Sequence, residues 1–177
     1  EGMSLMFDSA GNLQVSAVPS ASLASIYYLV DTGIIQAGFG SAVLATDNAM
    51  LLIVNPSTST RSLAMVTRIY GTAVANVSCM FRVYTDPVVV SSGTALPIYS
   101  GTAGSTASPS VAQAYKLPTT SSFGSLMDSY IIAVNASGQP IQENQVLTLP
   151  PAHSWLITAA PSSNNREVDI AIKWIEQ

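Results

Sequence analysis

The feature that most constrains the fold of this chain is the strand-like spacing of its apolar residues between positions 50 and 84. Residues 50–54 (MLLIV) form a short, uninterrupted apolar run, which is typical of a strand that is covered on both faces. Because proline donates no ladder hydrogen bond, Pro56 predicts that this strand ends near Asn55. Apolar and polar residues then alternate over positions 77–84, which predicts a strand between core and solvent. The predicted core face of this second strand holds Val77, Cys79, Phe81 and Val83.

The same spacing returns near the end of the chain, where Val168, Ile170, Ile172 and Trp174 alternate with Asp169, Ala171 and Lys173. A helix would mix these two sets on its surface, so a strand is predicted. Turn-forming residues recur about every 8 to 12 positions, and the chain has no convincing amphipathic helix. The sequence therefore predicts an all-β fold, namely a jelly-roll-type β-sandwich of about eight to ten strands with an N-terminal extended segment.

The length of 177 residues suits one domain, which can form a core without disulfides or metals. We expect residues 1–25 to form an N-terminal hairpin or extension and residues 26–177 to form a single β-sandwich domain. In the first segment, a turn of composition DSAGN separates the strand-like stretches SLMF and LQVSAV. This segment either folds back on its own domain or pairs with the open sheet edge of a neighbouring subunit, and the sequence leaves both arrangements open.

Charge is unusually scarce in this chain. Charged residues make up 9% of the sequence and hydrophobic residues 48%, whereas ordinary soluble domains carry about 25% charged residues. We therefore expect other copies of the chain to cover part of its surface.

With a net charge of −4 and scattered basic residues, no nucleic-acid partner is expected. No apolar run reaches the roughly 18 residues of a membrane helix, so membrane insertion is not expected.

The residues that usually carry chemistry are few and scattered. Cys79 is the only cysteine, and its place on an apolar face predicts a buried side chain. His153 is the only histidine, and we expect it to cap a turn or to hydrogen-bond a neighbouring backbone carbonyl. The acids considered as metal ligands or catalytic carboxylates are isolated in sequence: Asp86, Asp128, Glu143, Glu167 and Asp169. The chain is thus expected not to be an enzyme and to have no catalytic, cofactor-binding or metal-binding residues.

A carbohydrate-binding module of a larger particle is the alternative function. Such a site would stack sugar rings on exposed aromatic side chains. The candidates are Tyr27, Tyr84, Tyr99, Tyr115 and Trp155. Two or more of these side chains in one solvent-facing groove would favour glycans as partners.

Two short motifs resemble a loose group of small jelly-roll proteins of phage and bacterial genomes, thought to be structural components of virions or cell surfaces. The first is Asn55-Pro56-Ser57, which continues with small residues and Arg61 as in that group. The second is the stretch LPPAHS at positions 149–154, where the group often has Pro-Pro-Gly-His-Ser. Ala152 replaces that glycine, which implies that the position does not need a positive φ. A more distant likeness is to the trimeric tumour-necrosis-factor-like jelly rolls of bacterial surface fibres.

This resemblance implies a structural role and an extracellular, cell-surface or virion location. Combined with the low charge, it predicts a non-enzymatic subunit that self-assembles into a homo-oligomer or a filament. The expected partners are copies of the same chain.

Overall fold

The computed structural model describes residues 5–7, 13–15, 27–33, 35–37, 47–72, 78–100, 109–132, 147–162 and 166–177. Every regular element in these ranges is a strand, and the strands form four antiparallel sheets. The predicted all-β fold is confirmed. In chain order the strands are β1 (Leu5–Phe7), β2 (Leu13–Val15), β3 (Tyr27–Asp31), β4 (Ile35–Ala37), β5 (Asn48–Val54), β6 (Leu63–Thr72), β7 (Cys79–Thr85), β8 (Val88–Ser91), β9 (Thr94–Leu96), β10 (Tyr99–Ser100), β11 (Gln113–Lys116), β12 (Thr119–Ser122), β13 (Ser125–Ile132), β14 (Leu147–Leu149), β15 (Ser154–Pro161) and β16 (Arg166–Glu176).

Two six-stranded sheets form the body of the protein. The first sheet has the order β10-β3-β16-β6-β14, with β4 also paired to β16, and the second has the order β13-β7-β15-β5-β11-β9. Eight of these strands pair in a nested way. β3 pairs with β16, β5 with β15, β6 with β14 and β7 with β13. In sequence, the two strands of each pair are therefore enclosed by the two strands of the pair before it.

One hydrophobic core joins the two sheets. In β7 the buried residues Cys79, Phe81 and Val83 alternate with half-buried ones, as the sequence predicts. Val77, the first residue of that predicted face, lies outside the described residues. In β16 the predicted inward residues Val168, Ile170, Ile172 and Trp174 are all fully buried. The rings of Tyr28 and Trp174 stack within this core at a centroid distance of 6.1 Å.

The central strand β5 is covered on both faces, as its unbroken apolar run predicts. Leu51 and Ile53 belong to the core cluster between the sheets. Leu52 lies between them on the other face of the strand and is also fully buried. On that face of the second sheet, the ring of Phe123 contacts the ring of Tyr84 at a centroid distance of 5.4 Å. The β12–β13 connection thus packs against the outer face of this sheet.

The described residues form sixteen strands, more than the predicted eight to ten. The additional strands are two to four residues long and pair at the margins of the sheets or with each other: β1, β2, β4, β8, β9, β10, β11 and β12. Periodicity cannot identify such short strands, because two to four residues do not show an alternation. The predicted count was therefore too low.

The N-terminal strands β1 and β2 pair with each other, with Leu5 opposite Val15 and Phe7 opposite Leu13. Within the part of the chain that the structure describes, neither strand forms a ladder with the two large sheets. The division into residues 1–25 and 26–177, and the exchange of the first segment between subunits, stay predictions. Residues 101–108, which follow β10, lie outside the described residues.

Candidate interaction surface

A two-stranded ribbon projects from the second sheet and carries the most exposed apolar residues. β8 and β9 follow one another along the chain, and they pair with β12 and β11 respectively. The backbone bends between the two halves, where Gly93 and Leu117 both have positive φ values of 87° and 54°. The β9–β11 half belongs to the second sheet, whereas the β8–β12 half forms a separate sheet. This separate half, residues 88–91 and 119–122, is called the β8–β12 ribbon below.

The three valines of β8 are exposed although valine favours half-buried strands. Val88 is 57% exposed, Val90 is 68% exposed, and Val89 between them is 37% exposed. The ladder with β12 pairs Ser91 with Thr119 and Val89 with Thr120, so Val90 is an extra, bulged residue on β8. All four residues of β12 are polar, and none of the eight residues of the ribbon is charged. The ribbon therefore offers an apolar stripe on an uncharged background.

A second group of exposed apolar residues lies on β13, which is an edge strand of the second sheet. Leu126, Met127 and Ile131 are all substantially exposed. β13 pairs with β7 on one side only, and the structure shows no second ladder for it among the described residues. This strand contains a charge, Asp128, which β8 lacks, and its ladder with β7 shifts register between Leu126 and Asp128. Charges and bulges are the usual protections of edge strands.

The base of the ribbon is held rigidly to the second sheet. Asp86 leads into β8 with a φ of 54°, and its N–H donates to the carbonyl of Ser154 over 2.9 Å. Gly124 closes the ribbon with a φ of 86°, and a Cβ atom there would collide with the carbonyl oxygens of Thr85 and Asp86. Only glycine allows this close approach of two backbones. The two ends of the ribbon thus have a fixed position.

His153 contributes to the same base, but not as the sequence suggests. Its Nδ1 atom lies 2.8 Å from the Oδ2 atom of Asp86, and both side chains are about half exposed. The backbone N–H of Ser154 donates to the other oxygen of that carboxylate over 3.2 Å. The expected partner of His153, a backbone carbonyl, is therefore replaced by the carboxylate of Asp86.

The pKa of the Asp86 carboxyl is set by opposing effects. Partial burial raises its pKa, whereas the hydrogen bonds from His153 and Ser154 and the charge of His153 lower it. The lowering effects prevail, so the pKa of Asp86 lies below its ordinary value. The carboxylate is thus ionised at neutral pH and can accept both hydrogen bonds.

The inference about Ala152 was wrong. Ala152 has a φ of 68°, so the backbone at this position is left-handed, a conformation that glycine adopts without strain. An alanine in this conformation costs about 1 to 2 kcal/mol because its Cβ approaches the following carbonyl oxygen.

The other acids that the structure describes do not gather into a metal site. Asp169 lies close to Asp31 and Thr32, with 3.4 Å between its Oδ1 atom and the Thr32 hydroxyl. Burial raises the pKa of Asp169, and the neighbouring Asp31 raises it further. Within the described ranges no three His, Cys, Asp or Glu residues form a group that could hold a metal ion. Glu143 is outside those ranges.

Cys79 is fully buried, as predicted. Burial raises the pKa of its thiol to about 12, which disfavours the reactive thiolate at neutral pH. Among the described residues there is also no helix with the length and apolarity needed to cross a membrane.

The aromatic candidates for sugar stacking lie in different places. Trp155 is fully buried in the core, and the Tyr84 hydroxyl donates to the Oδ2 atom of Asp47 over 2.6 Å. Tyr99 is exposed on β10 of the first sheet, whereas Tyr115 belongs to β11 of the second. A cavity of about 340 Å³ beside β9 and β11 has Tyr115 as its aromatic lining residue. The structure describes the backbone of Tyr27 as part of β3 but not its side chain.

Sequence reasoning missed three polar residues, Asn55, Glu176 and Asp47, whose side chains are largely covered and connect distant segments. Asn55 is fully buried, and its Nδ2 atom donates to the carbonyls of Arg61 and Leu149 over 2.8 and 3.0 Å. Glu176 accepts hydrogen bonds from Ser110, the N–H of Val111, Arg61 and the Trp174 indole. Asp47 forms an ion pair with Arg82 across the outer face of the second sheet. In each case the sequence places a polar residue at or beside the end of a strand. This pattern is equally typical of an ordinary turn, so it did not predict a buried contact.

The ribbon, its rigid base and the β13 edge are the features of this structure that most resemble an interaction surface. No family model, curated protein or solved structure matches the chain.

Proposed function

We propose that this chain is a non-enzymatic structural subunit that self-assembles into a homo-oligomer or a filament. The observation that carries the proposal is the exposure of valines 88–90 on the uncharged β8–β12 ribbon. Large apolar residues grouped on a strand with a free edge are usually covered by another chain. Since burying apolar area yields roughly 25 cal/mol per Å², covering three such side chains contributes a few kcal/mol per contact.

The sparse charge supports association between identical surfaces. With 9% charged residues, copies of the chain repel each other little, and no strong field steers a charged partner to it. The association should therefore depend weakly on ionic strength. Polar but uncharged Ser and Thr residues, such as those of β12, keep the exposed surface hydrated.

We further infer that the sandwich is a jelly roll. The inference rests on the nested pairing of β3 with β16, β5 with β15, β6 with β14 and β7 with β13, which is what results when one long antiparallel hairpin is wound into two sheets. Together with the resemblance of the two loop motifs, this architecture favours a virion component or a bacterial surface fibre. Such a subunit acts outside the cell or on its surface.

Negative-stain electron microscopy of the full-length protein, with light scattering on the same sample, tests this proposal. We expect rings, small symmetric oligomers or fibres, and a particle mass that changes little between 50 and 500 mM salt. Particles of monomer size at high protein concentration would contradict the proposal. In that case a glycan array on the same sample would test the carbohydrate-binding alternative.

A further inference from the structure

We propose that the core binds one buried water molecule between the indole N–H of Trp155 and the side-chain Oδ1 atom of Asn55. The site lies where the two loop motifs, residues 55–57 and 149–154, meet. It concerns the inside of the sandwich, so it does not depend on the proposed self-assembly.

The two loop motifs are joined to each other through Asn55. The backbone N–H of Asn55 donates to the carbonyl of His153 over 2.9 Å. Its Nδ2 atom donates to the carbonyls of Leu149 and Arg61 over 3.0 and 2.8 Å. Leu149 belongs to β14 of the first sheet, whereas Asn55 follows β5 of the second. The Asn55 side chain therefore points into the space between the two sheets.

These bonds fix the orientation of the Asn55 amide. Both partners of Nδ2 are carbonyl oxygens, which only the nitrogen side of the amide can approach as a donor. The Oδ1 atom must then face elsewhere. It is buried and accepts no hydrogen bond from the described residues. A buried acceptor without a donor is costly, so the Oδ1 atom requires a partner.

Trp155 has the complementary deficiency. Its side chain is fully buried, and its Nε1–H finds no acceptor in the part of the chain that the structure describes. An indole N–H can only donate. The other buried indole, that of Trp174, donates to the Oε1 atom of Glu176 over 3.4 Å. The two unsatisfied groups are thus one donor, on Trp155, and one acceptor, on Asn55.

The register of β5 and β15 places these two residues on the same face of the second sheet. Trp155 lies opposite Ile53, and Asn55 follows Ile53 by two positions. Ile53 and Trp155 both belong to the core cluster between the sheets. Asn55 and Trp155 are therefore diagonal neighbours on the core side, a relationship in which Cα atoms lie about 7 to 8 Å apart. A bridging water joins atoms separated by about 5 to 6 Å, since each of its hydrogen bonds is about 2.8 Å long.

The chemistry of the two atoms selects water as the occupant. A water molecule accepts from an N–H and donates to an amide oxygen at the same time. A cation would be repelled by the N–H, and an anion by the amide oxygen. The nearby ionic pair of Asp86 and His153 is half exposed, so its charges lie at the surface rather than in this space.

The site has a consequence for the base of the ribbon. Trp155 directly follows His153 and Ser154, both of which hydrogen-bond the carboxylate of Asp86. A water held by Trp155 and Asn55 thus links the core behind this loop to the residues that hold the ribbon.

A crystal structure of the full-length protein, at a resolution that shows ordered waters, tests the site directly. We expect one water about 2.7 to 3.2 Å from both the Trp155 Nε1 atom and the Asn55 Oδ1 atom. Trp174 is the internal control, because its Nε1 atom should contact Glu176 without an intervening water. A direct hydrogen bond between Trp155 and Asn55 would overturn the inference, and so would clear density for both side chains without a water between them.

NMR gives a second test in solution. The indole proton of Trp155 should show a nuclear Overhauser cross-peak to water, with the rotating-frame sign that distinguishes a bound water from proton exchange. Trp155→Phe removes this indole signal and so assigns it, whereas Trp174→Phe should leave the cross-peak unchanged. A Trp155 indole proton without a water cross-peak would contradict the site. Since neither test depends on the oligomeric state, this inference and the proposed function can fail separately.

Discussion

The Nδ1 atom of His153 lies 2.8 Å from the Oδ2 atom of Asp86, although 67 positions separate the two residues. Asp86 begins the β8–β12 ribbon, and His153 precedes β15 at the centre of the second sheet. The contact therefore ties the base of the candidate interaction surface to the body of the sandwich. It also makes the stability of that base dependent on pH.

The carboxyl of Asp86 should contribute stability at neutral pH that is lost in acid. Its pKa in the folded protein lies below the ordinary value of 3.8, so its stabilising effect is complete above that value. The effect disappears as the pH falls through the lower folded value, where the carboxylate is protonated. Since the pair is half exposed, we expect less than about 1 kcal/mol. Urea unfolding of the wild type and of Asp86→Asn should differ at pH 7 and converge near pH 2.5.

Asparagine suits this comparison because it tolerates the positive φ of residue 86 and still hydrogen-bonds. A difference in unfolding free energy that stayed constant from pH 7 to pH 2.5 would show that the ionised carboxylate is not the source of the effect.

Gly124 should be far less replaceable than another left-handed glycine, Gly33. Both have positive φ, but a Cβ at Gly33 meets nothing within 4 Å, whereas at Gly124 it collides with backbone carbonyls of the β7–β8 connection. Gly33→Ala should cost about 1 to 2 kcal/mol for the backbone conformation alone. Gly124→Ala should cost at least about 2 kcal/mol more, as backbone collisions cannot relax cheaply. Chemical denaturation measures both, and equal losses would contradict the close packing at the ribbon base.

Ala152→Gly should stabilise the protein. The substitution removes the strain of a left-handed alanine, about 1 to 2 kcal/mol, and part of this gain is offset by the greater freedom of glycine in the unfolded chain. We expect a net gain of about 0.5 to 1 kcal/mol in thermal or urea unfolding. Ala112→Gly, a buried alanine without positive φ, is the control and should destabilise. A loss of stability in Ala152→Gly would show that residue 152 is not left-handed.

Asn55→Asp should be strongly destabilising. The fully buried amide donates hydrogen bonds to two backbone carbonyls. A carboxylate in its place would bury a charge, and its oxygen atoms could not donate to those carbonyl oxygens. We expect a loss of about 3 kcal/mol or more at pH 7. Asn48→Asp is the matched control, because its amide donates to the carbonyl of Ala159 from a half-buried position and should lose less. Similar losses in both variants would contradict the role of Asn55 as a buried connection.

Much of the fold was predictable from local sequence. The burial of β5, the alternating faces of β7 and β16, and the buried Cys79 all follow from apolar spacing, because such patterns depend on one strand at a time. The loop motif at residues 55–57 likewise marks the end of β5, with Asn55 as the first residue after the strand.

The contacts between distant segments were not predictable in the same way. The pairing of His153 with Asp86, and the convergence of Ser110, Arg61 and Trp174 on Glu176, depend on which strands become neighbours. The positive φ of Ala152 was missed because alanine rarely adopts a positive φ, so the residue type predicted an ordinary negative value. The exposure of valines 88–90 was also not predictable. The sequence VVV predicts a strand, but it does not show whether other residues pack against that strand.

Sedimentation velocity of the full-length protein over a concentration series is the most direct test of self-assembly through the β8–β12 ribbon. The account predicts that the sedimentation coefficient rises with concentration to that of a dimer or larger assembly, and that Val89→Lys remains a folded monomer over the same range. A wild-type protein that sediments as a monomer of 18.4 kDa at every concentration would contradict the account.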